Sequence, residues 1–499
     1  MEKMEKNKEA VAIRQFDLSK FFDKESLLDC LNELYKSNVK GKTYKLIYEM
    51  NKDTRVKVRT AVGDGKFEET DEGLAQGSME AAIASTNSIS NGVTDFFSES
   101  EYEVSYGPVK MDPAQFLDDI SRLALDPVSA QMGNDRLENI AETKLLNYNL
   151  LKTCIIILGN KKAREKLRNE FEEKNPTLYG ENVNIVTQAT YLGDKLGLSV
   201  SESISLTLKK RIGLVKRSIF EIKAVVEDCR SKIIGGIKTG ILLWEACVIP
   251  FLLYNSSTWL QMKKSDIEIL CKLQRLFLSS LLGIKNCPAV AMLWDLGILD
   301  MPMRILKEKL LLYHHISCLP ENALSFRILQ TQEQLHLPSL REEVAHFLAK
   351  HEIHDVRQFS KEKWKIYVRK AILEMNRSQM LEQMKSSKKL DELSLSLEEF
   401  KLKDYFTELS FENIRIKFRE RSKTMTTCRT HYPSDQENIK LMFECPNRCG
   451  NIDSLLHWRS CTFYRQFRES KNMENDKQLG EFYKSVINLR MKTAFQNVQ

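Results

Sequence analysis

The chain has no long hydrophobic run. Its longest apolar stretch, Ile241 to Tyr254, is interrupted by Glu245 and falls short of the roughly 20 residues that a membrane-spanning helix needs. A secretory signal is also missing: Met1-Glu2-Lys3-Met4-Glu5-Lys6 is charged and no apolar segment of signal length follows. These absences point away from membrane and secreted classes and toward an intracellular protein, nuclear or cytoplasmic. Neither sign of charge dominates. The 75 Lys+Arg against 68 Asp+Glu leave +7, with a pI near 8.6, a balance that suits a polyanionic partner without requiring one. The cysteines do not read as a disulfide framework. There are 11, an odd number, and Cys30, Cys154, Cys229, Cys247 and Cys271 sit singly in apolar contexts, as buried thiols of a reducing compartment do.

What is present fits a globular chain: 42% hydrophobic and 29% charged residues over 499 positions, enough for about three domains of ordinary size. Val11 to Phe16 reads as a strand that delivers Asp17 at its end. Leu27, Leu28, Leu31, Leu34 and Tyr35 recur at helical spacing behind Ser26 as a cap, and a second helix is expected from Lys42 to Asn51. Val56, Val58 and Val62 alternate with Lys57 and Arg59 as a strand, with Asp64-Gly65 as its hairpin turn. Glu72 to Ser78 is a glycine-punctuated loop before an alanine-rich helix reaching about Phe97.

Phe116-Leu117-Asp118-Asp119 reads as strand and tight turn, with Ile120 to Leu125 as the returning strand. Leu137 to Leu151 is expected to be a helix, Lys152 to Gly159 a buried strand, Lys162 to Lys174 a charged helix and Asn184 to Val186 a further strand. The layout is α+β with an antiparallel sheet. From about Ser201 strand signals nearly vanish. Helical patterns run to about Lys403 without a fixed-period repeat. Lys209 to Arg217 is a basic stretch there, suited to a phosphate backbone, and Ser386 to Lys403 reads as a polar linker helix.

Two constellations carry chemistry. Asp17 at a strand end and Asp118-Asp119 at a hairpin tip converge when their strands are neighbours in one sheet. Carboxylates so close raise each other's pKa, and divalent metal removes that cost. Two Mg²⁺ ions about 3.5–4 Å apart are a general solution for in-line nucleotidyl displacement, and oxygen-only ligands suit Mg²⁺. The second constellation is Cys445, Cys449, His457 and Cys461, a C-x3-C-x7-H-x3-C spacing within 17 positions that can close a tetrahedral zinc site. Cys428 and His431 lie upstream as alternative ligands. Arg448, Arg459, Arg465 and Arg468, interleaved with Trp458, Phe463 and Tyr464, suit contact with a phosphate backbone and stacked bases.

The ordered set of motifs resembles the reverse transcriptases of non-LTR (LINE-type) retrotransposons. Phe16 to Asp23 resembles their motif A, Gly73 to Ser78 their Gln-Gly motif B and Phe116 to Asp119 their motif C. Asn149-Leu150-Leu151-Lys152-Thr153 resembles motif D and Tyr191-Leu192-Gly193 motif E. Pro250 to Trp259, with Leu270, Leu273 to Arg275 and Leu282 to Ile284, is similar to their thumb, and the Cys-Cys-His-Cys element to their C-terminal zinc knuckle.

The resemblance implies an RNA-directed DNA polymerase. Asp17, Asp118 and Asp119 would hold two Mg²⁺. Phe22 would abut the sugar 2′ position, and Gln76 and Gly77 would lie beside the templating base and incoming nucleotide. Lys152 would stand near the triphosphate as charge stabiliser or general acid, and Cys445, Cys449, His457 and Cys461 would bind structural Zn²⁺. The partners would be an RNA template, a DNA primer and deoxynucleoside triphosphates. The parts would be a palm over residues 1–200, a helical thumb over 201–300, a helical connecting region over 301–423 and a zinc-knuckle-like region over 424–499. Only about ten residues precede the motif A strand that starts at Val11, so the resemblance also implies an N-terminal truncation with the fingers largely missing. Leu117 replaces a small residue before the two aspartates, and the alternative reading is an inactive remnant that only binds nucleic acid. An RNA-templated RNA polymerase shares the aspartate layout but is disfavoured by Phe22 and the Gln-Gly loop.

Overall fold

The computed structural model describes residues 9–69, 104–230, 236–390, 400–424 and 445–496, apart from positions 20, 25, 53, 54, 58, 107, 112, 113, 117, 118, 286, 388, 389, 423, 446, 448, 450–454, 470 and 474. The chain divides into two compact units. One comprises Met1–Thr207, Trp259–Gln261 and Ile316–His346; the other comprises Leu208–Thr258, Met262–His315 and Phe347–Gln499.

The first unit is built on a five-stranded sheet. Strand β1 is Ala10–Asp17, and helix α1, Leu27–Lys36, follows with the Ser26 hydroxyl accepting from the Asp29 amide as a cap. Strands β2, Ala114–Phe116, and β3, Asp119–Ala124, form a hairpin in which Phe116 opposes Asp119. Helix α2 is Pro127–Thr143, β4 is Cys154–Gly159, α3 is Lys161–Glu173 and β5 is Asn184–Val186. The spatial order is β5-β4-β1-β3-β2. All neighbours are antiparallel except β4 and β5, which run parallel. The expected antiparallel sheet is therefore mixed at one edge.

Side chains alternate across a strand, and here the alternation separates two environments. Ala12 and Phe16 of β1, Ile120 and Ala124 of β3, and Ile155 and Ile157 of β4 face α2 and α3, burying against Leu137, Ile140, Leu167 and Phe171. At about 1.5–3 kcal/mol for each large apolar side chain buried, this layer holds the unit together. Val11, Ile13, Leu123, Ile156 and Leu158 face the other way and pack on Val104, Leu196 and Leu198. Asp17 and Asp119 belong to this second face, at the strand ends beyond the apolar cluster.

Several boundaries differ from expectation. The helix expected at Leu137–Leu151 begins ten residues earlier. Asp126 caps it, accepting from the Val128 and Ser129 amides, with Pro127 at the first helical position. It stops at Thr143, which leaves Lys144 to Thr153 as loop and turn. The hairpin expected at Asp64-Gly65 turns instead at Ala61-Val62, between Arg59–Thr60 and Gly63–Asp64, and Arg55–Val56 pairs with Glu68–Glu69. The expected loop and helix over 72–97 lie outside the described residues. A further hairpin joins β6, Ala189–Tyr191, to β7, Asp194–Leu196, through Leu192 and Gly193. Both turn residues have positive φ, 46° and 86°, the backbone that a two-residue hairpin requires.

The second half is helical, as its patterning indicates. Helix α4 is Val200–Arg230, α5 is Lys264–Leu282, α6 is Met301–Ser317, α7 is Lys361–Lys385 and α8 is Phe411–Arg421. Between α4 and α5 a helical run opens into a π segment at Trp244–Val248. Pro250 supplies no amide and crowds the carbonyl four residues back, so the standard ladder cannot continue there. Trp244 stacks on Phe277 of α5 at 4.2 Å. The described parts of Ser386–Lys403 are not helical. Asp295, buried, accepts from Tyr405 at 2.8 Å and from Arg421 of α8 at 3.0 Å. Helix α9, Leu455–Ser460, and helix α10, Asp476–Gln496, complete the chain, with α8 packed along α10 through the Lys417–Asp476 ion pair at 2.6 Å. Among the described residues, no helix is long and apolar enough to cross a membrane.

Candidate active site and candidate metal centre

Asp17 ends β1 and Asp119 begins β3, and the register sets them directly opposite one another. Cross-strand partners have Cβ atoms about 4.5–5.5 Å apart, and like charges in that relation repel. A cation is therefore needed between or beside them. Lys152 supplies one: its Nζ lies 3.0 Å from Asp17 Oδ1.

The backbone explains how a residue 135 positions away reaches that carboxylate. The loop before β4 is stitched to the end of β1. The Asn149 amide donates to the Asp17 carbonyl at 2.7 Å, the Ser19 amide donates to the Asn147 carbonyl at 2.8 Å, and Leu18 bridges Tyr148. The Lys152 and Thr153 amides both donate to the Asn149 carbonyl, and the Asn149 side chain accepts from the Leu151 amide. Asn149 thus fixes the turn that carries Lys152.

These groups line one cleft of about 260 Å³, together with Gln15, Cys154, Thr190 and Tyr191. The β6–β7 turn delivers Tyr191 to it. Burial pushes the Tyr191 phenol above its ordinary pKa, and the Asp119 carboxylate adds to the rise. Burial also raises the Cys154 thiol, so that side chain is a neutral wall and not a nucleophile. The donor set is oxygen-only, anionic and open to solvent, which fits a hard cation such as Mg²⁺. Of the residues expected at this site, Asp17, Asp119 and Lys152 come together. Asp118, Gln76, Gly77 and the Phe22 side chain lie outside the described residues.

On the opposite face of the same strands, Arg14 and Arg122 are also cross-strand partners, both buried. Arg14 Nη1 donates to Asn134 Oδ1 at 2.7 Å and to the Ala130 carbonyl of α2. Gly133 makes room for both: a Cβ there would meet Arg122 Nη1 at 2.6 Å and Arg14 Nη2 at 2.7 Å. Burial, with Arg122 beside it, pulls Arg14 down from the ordinary arginine pKa. Sequence reading missed this pair, because an arginine at a β position gives no sign of which face it occupies.

In the second unit Cys445, Cys449, His457 and Cys461 place one ligand atom each, all within 4.8 Å of one another. Cys449 Sγ lies 3.1 Å from His457 Nε2 and 4.0 Å from Cys461 Sγ. A tetrahedral zinc with bonds of about 2.0–2.3 Å has ligand–ligand edges of about 3.5–3.8 Å, which those distances bracket. The cluster could hold a metal ion. Helix α9 carries His457 and leads into Cys461, four residues on, where the two share one helical side. Burial pushes the Cys445 thiol up to about 12.

The surroundings of this cluster differ from expectation. Trp458 and Tyr464 are not stacking platforms: both are buried, in one apolar cluster with Cys445, Cys461, Leu479, Phe482 and Tyr483. Arg459 is committed to Tyr483 and Glu420, and Arg468 donates to the Cys461 carbonyl. Only Phe463, of the three aromatics, is exposed. Within the basic stretch of α4, Arg211 is buried and donates to the Leu252 and Tyr254 carbonyls. Among the single cysteines Cys30 is buried, Cys154 and Cys271 are half-buried and Cys247 is exposed, while the Cys229 side chain and the candidate ligands Cys428 and His431 lie outside the described residues.

No protein-family model matches the chain, and no curated protein matches it. Among solved structures it is similar to telomerase from Candida albicans in complex with a TWJ fragment of telomeric RNA, at 10% identity and a TM-score of 0.26 over 70% of this chain and 50% of that one. It is similar to the corresponding complex from Candida tropicalis at 12% identity and a TM-score of 0.27, over 57% of this chain and 49% of that one. Apo telomerase from Candida tropicalis gives 12% identity and a TM-score of 0.30, over 78% and 54%. The chain spans about half the length of these neighbours. A likeness of this depth carries no argument about what the chain does.

Proposed function

We propose that the chain is the polymerase part of a non-LTR retroelement reverse transcriptase, an RNA-directed DNA polymerase that extends a DNA primer along an RNA template. The parts would be a palm over 1–200, a thumb over 201–300, a connecting region over 301–423 and a zinc-binding region over 424–499. The observation that carries the reading is the Asp17–Asp119 cross-strand pair with Lys152 at the mouth of an open cleft.

Asp17 and Asp119, with Asp118 beside them in the chain, would hold Mg²⁺. That ion, when bound, supplies charge neutralisation at the phosphate oxygens and acidifies the primer hydroxyl. The residues do the rest. The sheet, packed on α2 and α3 through its other face, would hold the two carboxylates opposite one another at the strand ends. Lys152 would offer an ammonium to the anionic triphosphate, as a charge stabiliser or as a general acid toward the departing pyrophosphate. Tyr191 and Thr190 wall one side of the cleft. By the resemblance, Phe22 would select against a 2′-hydroxyl, and Gln76 and Gly77 would lie beside the templating base and the incoming nucleotide. In the C-terminal region Cys445, Cys449, His457 and Cys461 would hold structural Zn²⁺.

The test is primer extension on an RNA template with deoxynucleotides and Mg²⁺. Asp17→Asn is expected to lower the rate by about 10²- to 10³-fold, the scale set by losing one preorganised electrostatic group at a reacting centre. RNA binding without any aspartate-dependent synthesis would reject the reading in favour of a binding-only remnant.

A further inference from the structure

We infer that Lys152 is a resident counter-ion that holds the place of the metal on Asp17, and that cation binding and release of Lys152 are one exchange. The inference rests on the reading of Asp17 and Asp119 as metal ligands and adds a resting state to that site.

Three observations carry it. The Lys152 ammonium lies 3.0 Å from Asp17 Oδ1, on the same carboxylate that the metal requires. The two partners are unequally held: the Asp17 side chain is 18% exposed, whereas that of Lys152 is 64% exposed. The Lys152 backbone is also pinned, through Asn149, to the strand that carries Asp17, so the head can leave while the stem stays. A divalent ion and an ammonium cannot occupy one carboxylate lobe together, because like charges at contact repel. The more exposed partner is therefore the one that swings out. Cation binding thereby displaces the Lys152 ammonium from Asp17 toward the cleft mouth, where a polyanion can reach it once the metal has arrived. A half-exposed ion pair of this kind is worth little by itself, so a dication displaces it readily.

The experiment uses the full chain without nucleotide, with Mn²⁺ as probe, and follows free Mn²⁺ by electron paramagnetic resonance. Removing the competitor in Lys152→Met should tighten the Asp17-dependent site by about 3- to 5-fold, the upper range for an exposed ion pair, while Lys152→Arg stays near the wild type. Circular dichroism confirms that the variants are folded. A second measurement needs no variant at Lys152. Acetylation by a small amine-reactive ester, read by mass spectrometry at Lys152, should rise several-fold when Mg²⁺ is added, and not in Asp17→Asn. Unchanged or weaker Mn²⁺ binding in Lys152→Met, or labelling indifferent to Mg²⁺, overturns the exchange while leaving the carboxylate site intact. Mn²⁺ binding unaffected by Asp17→Asn overturns the metal-ligand reading itself, and the exchange with it.

Discussion

The two candidate metal sites of this chain differ in what exists without the metal. At the sheet, Asp17 and Asp119 are carried by strands whose packing comes from Phe16, Ile120, Ile155 and Ile157 against α2 and α3. That packing is apolar and does not involve the carboxylates, which face a cleft on the other side of the sheet. At the C-terminal end, Cys445 and Cys461 are themselves members of the apolar cluster formed with Trp458, Tyr464 and Phe482. There the candidate ligands are core. An open oxygen site on a preformed frame suits a cation that turns over with substrate, and a closed sulfur–nitrogen site suits one that stays. On the proposed reading, charge would serve function at one place and the fold at the other.

The sharpest way to break that comparison is to deny the candidate sulfur–nitrogen site any metal. Structural zinc contributes about 10–16 kcal/mol in isolated zinc-finger peptides, as much as the whole net stability of an ordinary domain. Chelation, or Cys461→Ser, should therefore unfold the region around α9 and α10 and open it to limited proteolysis, with cleavages mapped by mass spectrometry between 445 and 496. The sheet unit should keep its melting temperature. A C-terminal region that stays protease-resistant without metal would show that its apolar cluster suffices, and the contrast between the two sites would collapse.

How much of this was legible in the sequence follows the same division. Asp17 at a strand end, the β2–β3 hairpin and the buried β4 run were readable because period and turn chemistry are local. The Cys-x3-Cys-x7-His-x3-Cys spacing was readable because its ligands lie within 17 positions. Non-local facts were not. Nothing local says that β1 pairs with β3 in the register that opposes Asp17 to Asp119, nor that Asn149 ties Lys152 to it. Trp458, Tyr464 and Arg211 looked like nucleic-acid contacts from their residue types, yet their burial and partners are decided by chain segments up to tens of residues away. The start of α2 was a missed local signal: Asp126-Pro127 is a cap followed by a first-turn proline, overlooked beside the apolar pattern further on.

A middle-sized effect tests whether the sheet frame is as preformed as the comparison requires. Gly133 of α2 sits against the buried Arg14–Arg122 pair, and an alanine methyl would lie 2.6 Å and 2.7 Å from their guanidinium nitrogens. The Arg14 head is held by Asn134 and the α2 backbone, so it cannot simply swing away. Gly133→Ala should cost about 1–3 kcal/mol, the usual range for overpacking a filled interior, measured by urea unfolding. It should also loosen metal binding at Asp17 and Asp119, three residues along the same two strands from the arginines. A stability loss with unchanged Mn²⁺ affinity would mean that the carboxylates are positioned locally and not by the packed face.

The smallest effect carries the opposite sign. Asp119 opposes Asp17 across the ladder, and a directly opposed like-charge pair is destabilising by up to about 1 kcal/mol. Lys152 bonds Asp17, which offsets part of that repulsion in the metal-free state. Neutralising the second carboxylate in Asp119→Asn should therefore stabilise the metal-free sheet unit by a few tenths to about 1 kcal/mol, seen as a higher urea midpoint with an unchanged slope. Added Mg²⁺ should shrink or reverse the difference, because only the wild type gains the ion. Cys461→Ser, at the other site, should never stabilise. A substitution that removes function while strengthening the fold marks a site whose charge serves chemistry; if Asp119→Asn instead weakens the metal-free protein, Asp119 is part of the frame and the two sites are alike.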